Sequence, residues 1–539
     1  MDAPRSVMVF RSLLGNRPLT RVALAYTIFI LTEYAVWIAM IVYAYQRGGV
    51  GVAGAVVLAQ LIPAALFAPL AAGIADRRSP VLLLGGGYVV QALGTGATAA
   101  AMAADLPWVA YAAAAVASTA VTTTRPAQAA LLPALARTPQ QLTAANVALG
   151  WLESGAQVLA GVLCGVLIGL TGPAGVFVAC AALLALGPLL VGTLRPVVTG
   201  GESDAGQLAD LLASARLVTG NAAVRLLVSL ITAVGVIIGA VDLLYVVVAV
   251  DVLGRGEEWA GYLNTAFGVG SMLAGVVTAL LVGRRLGRPI VLAALVVTAA
   301  VASLGAHTGL VPTVAYFGLI GGGLAVLNVT ARTLLQRTVP VHETARVFGL
   351  LEGLFMAGLA VGTALVSGLQ TAFGTTGTFV GLALLLPLAG LAGGRALFRL
   401  DSEARVPVVE IALLRSLPLF AELPLPTVEG LAQTVREERL SAGTILLREG
   451  DVGDAYYAIA DGELEVSKHG VVLRHCRRGD GVGEIGLLHA VPRTATVTAT
   501  TPSTVYALAA EPFLAAVTGH VATGRLALEI AQKRLETEP

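Results

Sequence analysis

Apolar runs long enough to cross a bilayer dominate the first three quarters of the chain. A spanning helix needs about 20 mostly apolar residues. On that ruler, stretches near 20–45, 50–72, 81–103, 108–135, 142–169 and 173–194 predict six membrane helices. A polar interval, 195–221, separates them from six more near 225–250, 258–283, 289–306, 311–337, 344–370 and 376–398. After residue 400 the pattern changes. Residues 407–417 read as a short amphipathic helix, followed by a turn, a helix and then short alternating segments broken by Gly-Asp turns. Strands at such spacing indicate a small β-barrel or roll, and the run "EPFLAAVTGHVATGRLALEIAQKRLE" predicts a last helix. The predicted fold is an all-α membrane bundle of twelve transmembrane helices in two six-helix halves, plus a C-terminal α+β domain with a β-roll and flanking helices. Its expected parts are a tail at 1–18, helical halves at 19–194 and 222–398 around the 195–221 loop, a linker helix at 399–415 and a β-roll domain at 416–539.

Composition sharpens this division. Hydrophobic residues make up 56% of the chain and charged residues 12%, against about 25% charged in a typical soluble domain. About half of the charged side chains follow residue 400. A net charge of +1 gives no footprint for nucleic acid. Loop arginines set orientation. One side of the bundle carries Arg77, Arg78, Arg137, Arg195, Arg216, Arg284, Arg285, Arg288, Arg337 and Arg346, and the other only Arg47 and Arg255. Both termini and the β-roll are therefore expected in the cytoplasm, with the bundle in the inner (plasma) membrane. The apolar run behind Arg5, Arg11, Arg17 and Arg21 is too long for a signal-peptide core and reads as a retained first helix. Cys164, Cys180 and Cys476 form no readable disulfide framework and read as packing residues.

The two halves look like copies. "LLGNRPLTR" before the first span matches "LVTGNAAVR" before the seventh. Arg125 stands eight residues before Pro133 with Glu153 in the next span, and Arg332 stands eight before Pro340 with Glu352 in the next. On these features, residues 10–398 resemble the major facilitator superfamily, in particular its drug- and siderophore-exporter branch. The family's loop between spans two and three, roughly Gly-x-Leu-x-Asp-Arg-x-Gly-Arg, reads here "AAGIADRRSPVLL": Asp76 and Arg77 match, while Ala72, Ser79 and Pro80 depart. The second copy, "VGRRLGRPI", keeps Arg285, Gly287 and Arg288 but lacks the acid.

Six ionisable groups fall inside apolar spans: Glu33, Arg125, Glu153, Asp242, Arg332 and Glu352. Each costs at least about 2.5 kcal/mol there, so each is expected to have a partner or face a cavity. Arg125 with Glu153, and Arg332 with Glu352, are expected to pair across consecutive spans. Such pairs are structural clasps, or proton carriers if they form in only one transport state. Glu33 has no basic residue on its own helix face and is the leading candidate for proton coupling or a cationic substrate. The bland alternative is a protonated acid hydrogen-bonded to a neighbouring helix. Asp242, nearer the outer end of its span, reads as a solvated lip residue. No metal-ligand spacing and no nucleotide-hydrolysing phosphate loop occurs, so no enzyme activity is expected.

The tail holds the sharper signal, "GVGEIGLLHAVPRTATV". Through it, residues 416–535 resemble cyclic-nucleotide-binding domains of catabolite activators, cyclic-nucleotide-dependent kinases and gated channels. The resemblance implies that Glu484 holds the ribose and Arg493 the cyclic phosphate. It also implies that Gly483, Ile485, Gly486 and Ala495 contribute backbone, with Thr494 near the base. Val482 stands where the family has Phe. The implied ligand is cAMP, or cGMP, with cAMP favoured by the bacterial look of the chain. The whole then reads as a secondary transporter, an exporter of a small amphiphilic or cationic molecule, regulated by cytoplasmic cyclic nucleotide. Its expected partners are that nucleotide, an unidentified small-molecule substrate, lipid and protons, with a dimer compatible. The alternative is a membrane cyclic-nucleotide sensor with a non-transporting bundle. A channel is disfavoured, because neither an arginine-periodic voltage helix nor a carbonyl filter sequence occurs.

Overall fold

The computed structural model describes residues 15–194, 218–391, 397 and 408–518, with short breaks at 78, 137–138, 282–283, 307–308, 340, 422, 424 and 490. Most of the 195–221 loop, the 399–407 part of the linker and the C-terminal run after 518 lie outside the described residues. Most of the chain up to Ala404 falls in a helical unit, and the chain from Arg405 on in a C-terminal unit.

The helical unit runs α1 (Arg17–Arg77), α2 (Pro80–Ala103), α3 (Pro107–Leu135), α4 (Pro139–Leu184), α5 (Leu186–Val191), α6 (Ala222–Val247, extended by a π-turn over Val248–Val252), α7 (Trp259–Leu280), α8 (Gly287–Leu304), α9 (Leu310–Thr338) and α10 (Val341–Leu391). Proline opens α2, α3 and α4, a position where its missing N–H costs nothing and its fixed φ suits the first turn. The repeated Gly-Asn before α1 and α6 is a helix cap. Asn16 Oδ1 accepts from Leu19 N, and Asn221 Oδ1 from Val224 N, each at 3.4 Å.

Among the described residues, eight stretches are long and apolar enough to cross a membrane, the longest being Arg17–Phe67, Ala148–Val191 and Val347–Gly390. The expected twelve are not separately delimited, for two physical reasons. Glycines in left-handed or extended backbone break those three long helices at Gly48–Gly49, Gly172 and Gly374 (φ 62°, 73° and 67° at Gly49, Gly172 and Gly374), without an intervening loop. And α3 carries Thr122, Thr123, Thr124, Arg125 and Gln128 within its length.

Helices before residue 195 meet those after 221 through small residues and a few polar links. A Cβ on Gly161 would lie 2.6 Å from the Gly261 carbonyl oxygen, and one on Gly261 would lie 2.5 Å from that of Gly161. Backbone approach this close is what glycine permits in membrane bundles. Trp37 Nε1 donates to Asp242 Oδ2 (3.1 Å), Tyr45 Oη to Asp251 Oδ1 (2.7 Å), Gln46 Nε2 to Glu257 Oε2 (2.5 Å) and Ser367 Oγ to the Val50 carbonyl (3.2 Å). Asp242 is thus tied to the first helix instead of standing as a solvated lip residue. We expect Gly261→Val to lower the melting temperature of the purified protein, because overpacking a tight contact costs about 1–3 kcal/mol; a melting curve equal to wild type would show the helices can separate there at no cost.

The C-terminal unit begins with α11 (Val408–Ser416), α12 (Pro418–Ala421) and α13 (Leu425–Thr434). Strands follow at β1 (Arg436–Leu440), β2 (Ile445–Leu447), β3 (Ala455–Asp461), β4 (Glu463–Lys468), β5 (Val471–Arg477) and β6 (Gly481–Val482). Then come a one-turn helix, α14 (Glu484–Leu488), strands β7 (Thr496–Ala499) and β8 (Ser503–Ala509), and α15 (Ala510–Thr518). Two four-stranded antiparallel sheets, ordered β1-β8-β3-β6 and β2-β7-β4-β5, enclose Ile459, Leu464, Cys476, Val497 and Val505. A second cluster seats α11–α13 and α15 against the roll through Phe420, Tyr456 and Phe513, with Tyr456 and Phe513 stacked at 4.8 Å. Cys164, Cys180 and Cys476 are all buried thiols.

Candidate functional site

In the C-terminal unit, every residue of the predicted cassette borders one small cavity: Gly483, Glu484, Ile485, Gly486, Arg493, Thr494 and Ala495. Its centre is Arg493, 4% exposed. The loop between β2 and β3 clamps its backbone: Arg493 N donates to the Asp451 carbonyl, and its own carbonyl accepts from Gly450 N, both at 2.8 Å. Its guanidinium donates to the carbonyls of Gly483 (2.8 Å) and Ala455 (2.6 Å). A carboxylate on the 87%-exposed Asp454 side chain lies 3.7 Å away. Burial therefore pulls the Arg493 pKa below its ordinary value, while Tyr457, Asp454 and Glu484 pull it back. An arginine stays charged regardless. Two neutral carbonyls orient this cation without neutralising it, and three of its five N–H donors are left for other acceptors. Such a group favours an anion.

Glu484, 1% exposed, opens α14 directly after Gly483, which sits at φ 94°. A buried carboxylate beside a confined cation suits a ligand that carries a hydroxyl donor as well as negative charge. A side chain at Gly483 would meet both strain and a clash, since its Cβ would lie 2.7 Å from Arg493 Nη1. Gly483→Ala should therefore cost about 1–2 kcal/mol of stability and displace Arg493. Thermal melts of the two proteins with and without nucleotide read both effects, and an unshifted melt with full ligand response would contradict the geometry.

Reading the sequence missed the other residues that build this site. Ala455 supplies a carbonyl, and Gly453 must lack a side chain because a Cβ there would lie 2.9 Å from Arg493 Cζ. Leu447, Val466, Arg474, Val482 and Val497 complete the walls. The Gly-Asp turns were visible as turns, with nothing to show which side chain they would clamp.

In the helical unit, the intramembrane charges pair differently from expectation. Arg125 Nη2 bonds Glu33 Oε2 at 2.7 Å, so Glu33 is not the isolated acid. Glu153 instead accepts from Tyr26 Oη at 3.2 Å. Arg332 does bond Glu352, at 2.5 Å, and also donates to Asn328 Oδ1. The reason lies in the repeat. Aligning "LLGNRPLTR" with "LVTGNAAVR" puts Glu33 opposite Ile237 or Ile238. The second half therefore offers Arg332 no acid at the position equivalent to Glu33, and the acid its first helix does carry, Asp242, accepts from Trp37. Both arginines also lie 5.8 Å from a phenylalanine ring, Phe29 and Phe355 respectively. The backbone of Asp76 and Arg77 ends α1; their side chains lie outside the described residues.

Comparison with known proteins agrees with this division. Residues 22–306 match the family model of the Major Facilitator Superfamily, and 437–520 that of the cyclic nucleotide-binding domain. The tail is similar to a cAMP-dependent protein kinase regulatory subunit of Eremothecium gossypii, 46% identical over 89 residues, which are 16% of this chain and 19% of that protein. It is also similar to a cGMP-dependent protein kinase of Caenorhabditis elegans, 39% identical over 71 residues, 13% of this chain and 9% of that one. The chain thus spans about a fifth or less of the length of these curated relatives. Among solved structures, the regulatory domain of Toxoplasma gondii PKA with cAMP matches at 22% identity and a TM-score of 0.23, covering 26% of this chain and 56% of that one.

Proposed function

From the premise that this chain belongs to the Major Facilitator Superfamily and carries a cyclic nucleotide-binding domain behind its transporter domain, we propose a secondary transporter whose cycle is set by cyclic nucleotide bound to its tail. The carrying observation is Arg493, a buried cation oriented by carbonyls beside the buried Glu484. Glu484 and Arg493 address the ribose and the cyclic phosphate, which cAMP and cGMP share, so this pair does not choose the base. The three glycine-broken helices and the capped repeat support twelve spans in two halves. The Arg125–Glu33 and Arg332–Glu352 pairs suit a polar pathway for a cationic or amphiphilic cargo, with export as the direction.

Titration calorimetry of the full chain with cAMP and with cGMP tests the ligand, and hydrogen exchange of the helical unit with and without it tests regulation. Lack of binding to both nucleotides ends the proposal. Binding without altered exchange or transport reduces the tail to a docking module. The loop-arginine bias further predicts that a cysteine replacing Asp210 is not labelled from outside intact cells; labelling there would invert the topology.

A further inference from the structure

The hydrogen bond from Trp37 to Asp242 joins equivalent points of the repeat. Asn16 and Asn221, which cap α1 and α6, stand 205 positions apart, and so do Trp37 and Asp242. The bond also lies between an open region and a sealed one. Glu33 stands one turn before Trp37 on the same face of α1, and the Glu33 and Arg125 side chains are 28% and 44% exposed. Charges in the middle of apolar helices face a cavity rather than lipid, so a space opens there between the two sets of helices. Two turns beyond Trp37, about 12 Å along the axis, Tyr45 bonds Asp251 and Gln46 bonds Glu257. Asp242 is therefore the acid at the closed end of that space.

Its partner is an unusual one for an acid at this depth. Glu33 and Glu352 each meet an arginine. Among the described residues Asp242 forms no ion pair, and it accepts from a neutral indole N–H at 3.1 Å. One turn farther along α6, Tyr245 packs on Phe267 of α7 with ring centroids 6.2 Å apart. Asn264, one turn before Phe267 and 4% exposed, has an Oδ1 that no donor among the described residues reaches. A carboxylate without a cation, a second acceptor and an indole ring together suit an ammonium that carries N–H.

Resting on the transporter reading above, we infer that Asp242 binds a primary or secondary ammonium group of the cargo, which takes the place of the Trp37 N–H. A charge-assisted hydrogen bond is stronger than a neutral one. The cargo binds best with the Trp37 link released, so it shifts the bundle toward the state in which the sealed end parts. A quaternary ammonium has no N–H to give and leaves the link closed.

The probes are 2-phenylethylamine and its N-trimethyl analogue, applied to the purified full chain. Calorimetry gives affinity, and hydrogen exchange over 45–50 and 249–258 reads the sealed end. The amine should bind about tenfold or more tighter than the analogue, and only the amine should speed exchange there. Asp242→Asn keeps an oxygen that accepts from Trp37 but loses the charge. Amine affinity should then fall about tenfold or more, with exchange at the sealed end unchanged. Trp37→Phe removes the competing donor, so the amine should bind at least as tightly and the sealed end should exchange faster even without it. Equal binding of the two probes, wild-type affinity in Asp242→Asn, weaker binding in Trp37→Phe or no binding of the amine to wild type would each overturn the assignment. Asp242-dependent binding without uptake of the amine by proteoliposomes would instead bring down the transporter reading and leave the site standing.

Discussion

Arg493→Ala will weaken cyclic nucleotide binding by about a hundredfold or more. A hydrogen bond to a charged group contributes about 1.5–3 kcal/mol, and the guanidinium that two carbonyls aim into the cavity can give more than one such bond to a phosphate. The same change leaves the Gly483 and Ala455 carbonyls without this donor, so apo stability should fall as well, by about 1–3 kcal/mol. Arg493→Lys separates the two effects. It retains the charge, but an ammonium cannot reproduce the planar fork that spans both carbonyls, and most of the affinity should still be lost. Calorimetry gives affinity and thermal melts give stability. An Arg493→Ala protein that binds within threefold of wild type would mean the anion sits elsewhere.

The second large effect lies in the membrane half. Arg125→Ala and Glu33→Ala should each lower the melting temperature in detergent, and the double variant should lose much less than the sum. Contacting charges couple by about 0.5–3 kcal/mol in such cycles. Stranding one member of a fully buried pair costs about 3–5 kcal/mol. Here the Arg125 side chain is 44% exposed and that of Glu33 28%, so about 1–3 kcal/mol per single variant is the appropriate scale. The parallel cycle of Arg125 with Glu153 should be nearly additive. Additivity for Glu33 together with coupling for Glu153 would restore the pairing expected from sequence spacing. A proton role for Glu33 now has to be exercised through Arg125, and Glu33→Gln is expected to change the pH profile of transport by weakening that bond.

Which features could be read from the chain alone follows from their range. The apolar spans are local, and so is the nucleotide cassette, whose Gly483, Glu484, Arg493 and Thr494 lie within a dozen residues of one another. Both were legible for that reason. The partner of Arg125 was not, because Glu33 is 92 positions away and hydropathy says which segments cross the membrane without saying which faces meet. Spacing suggested the neighbouring span, and the neighbouring span was right only for Arg332, whose half has isoleucine where the first half has Glu33. Ala455 contributes a carbonyl, which no side-chain motif can announce. Arg474 was within reach. Its even spacing from Cys476 already put it inward on a strand, and the register lines it up with Val466, Val497 and Leu447 along the cavity wall.

The glycine contact between Gly161 and Gly261 has a bearing on how the two sets of helices respond to their surroundings. Backbone touching backbone is held by dispersion and weak Cα–H···O contacts, which neither ionic strength nor acid alters. The links from Tyr45 to Asp251 and from Gln46 to Glu257 end on the carboxylates of an exposed and a half-buried residue, which dissolved ions screen and protonation weakens. Salt and acid therefore act on the rim of this junction and leave its spine untouched. A compound or a bulky substitution that wedges between the glycines would do the reverse, holding the helices apart at any buffer composition.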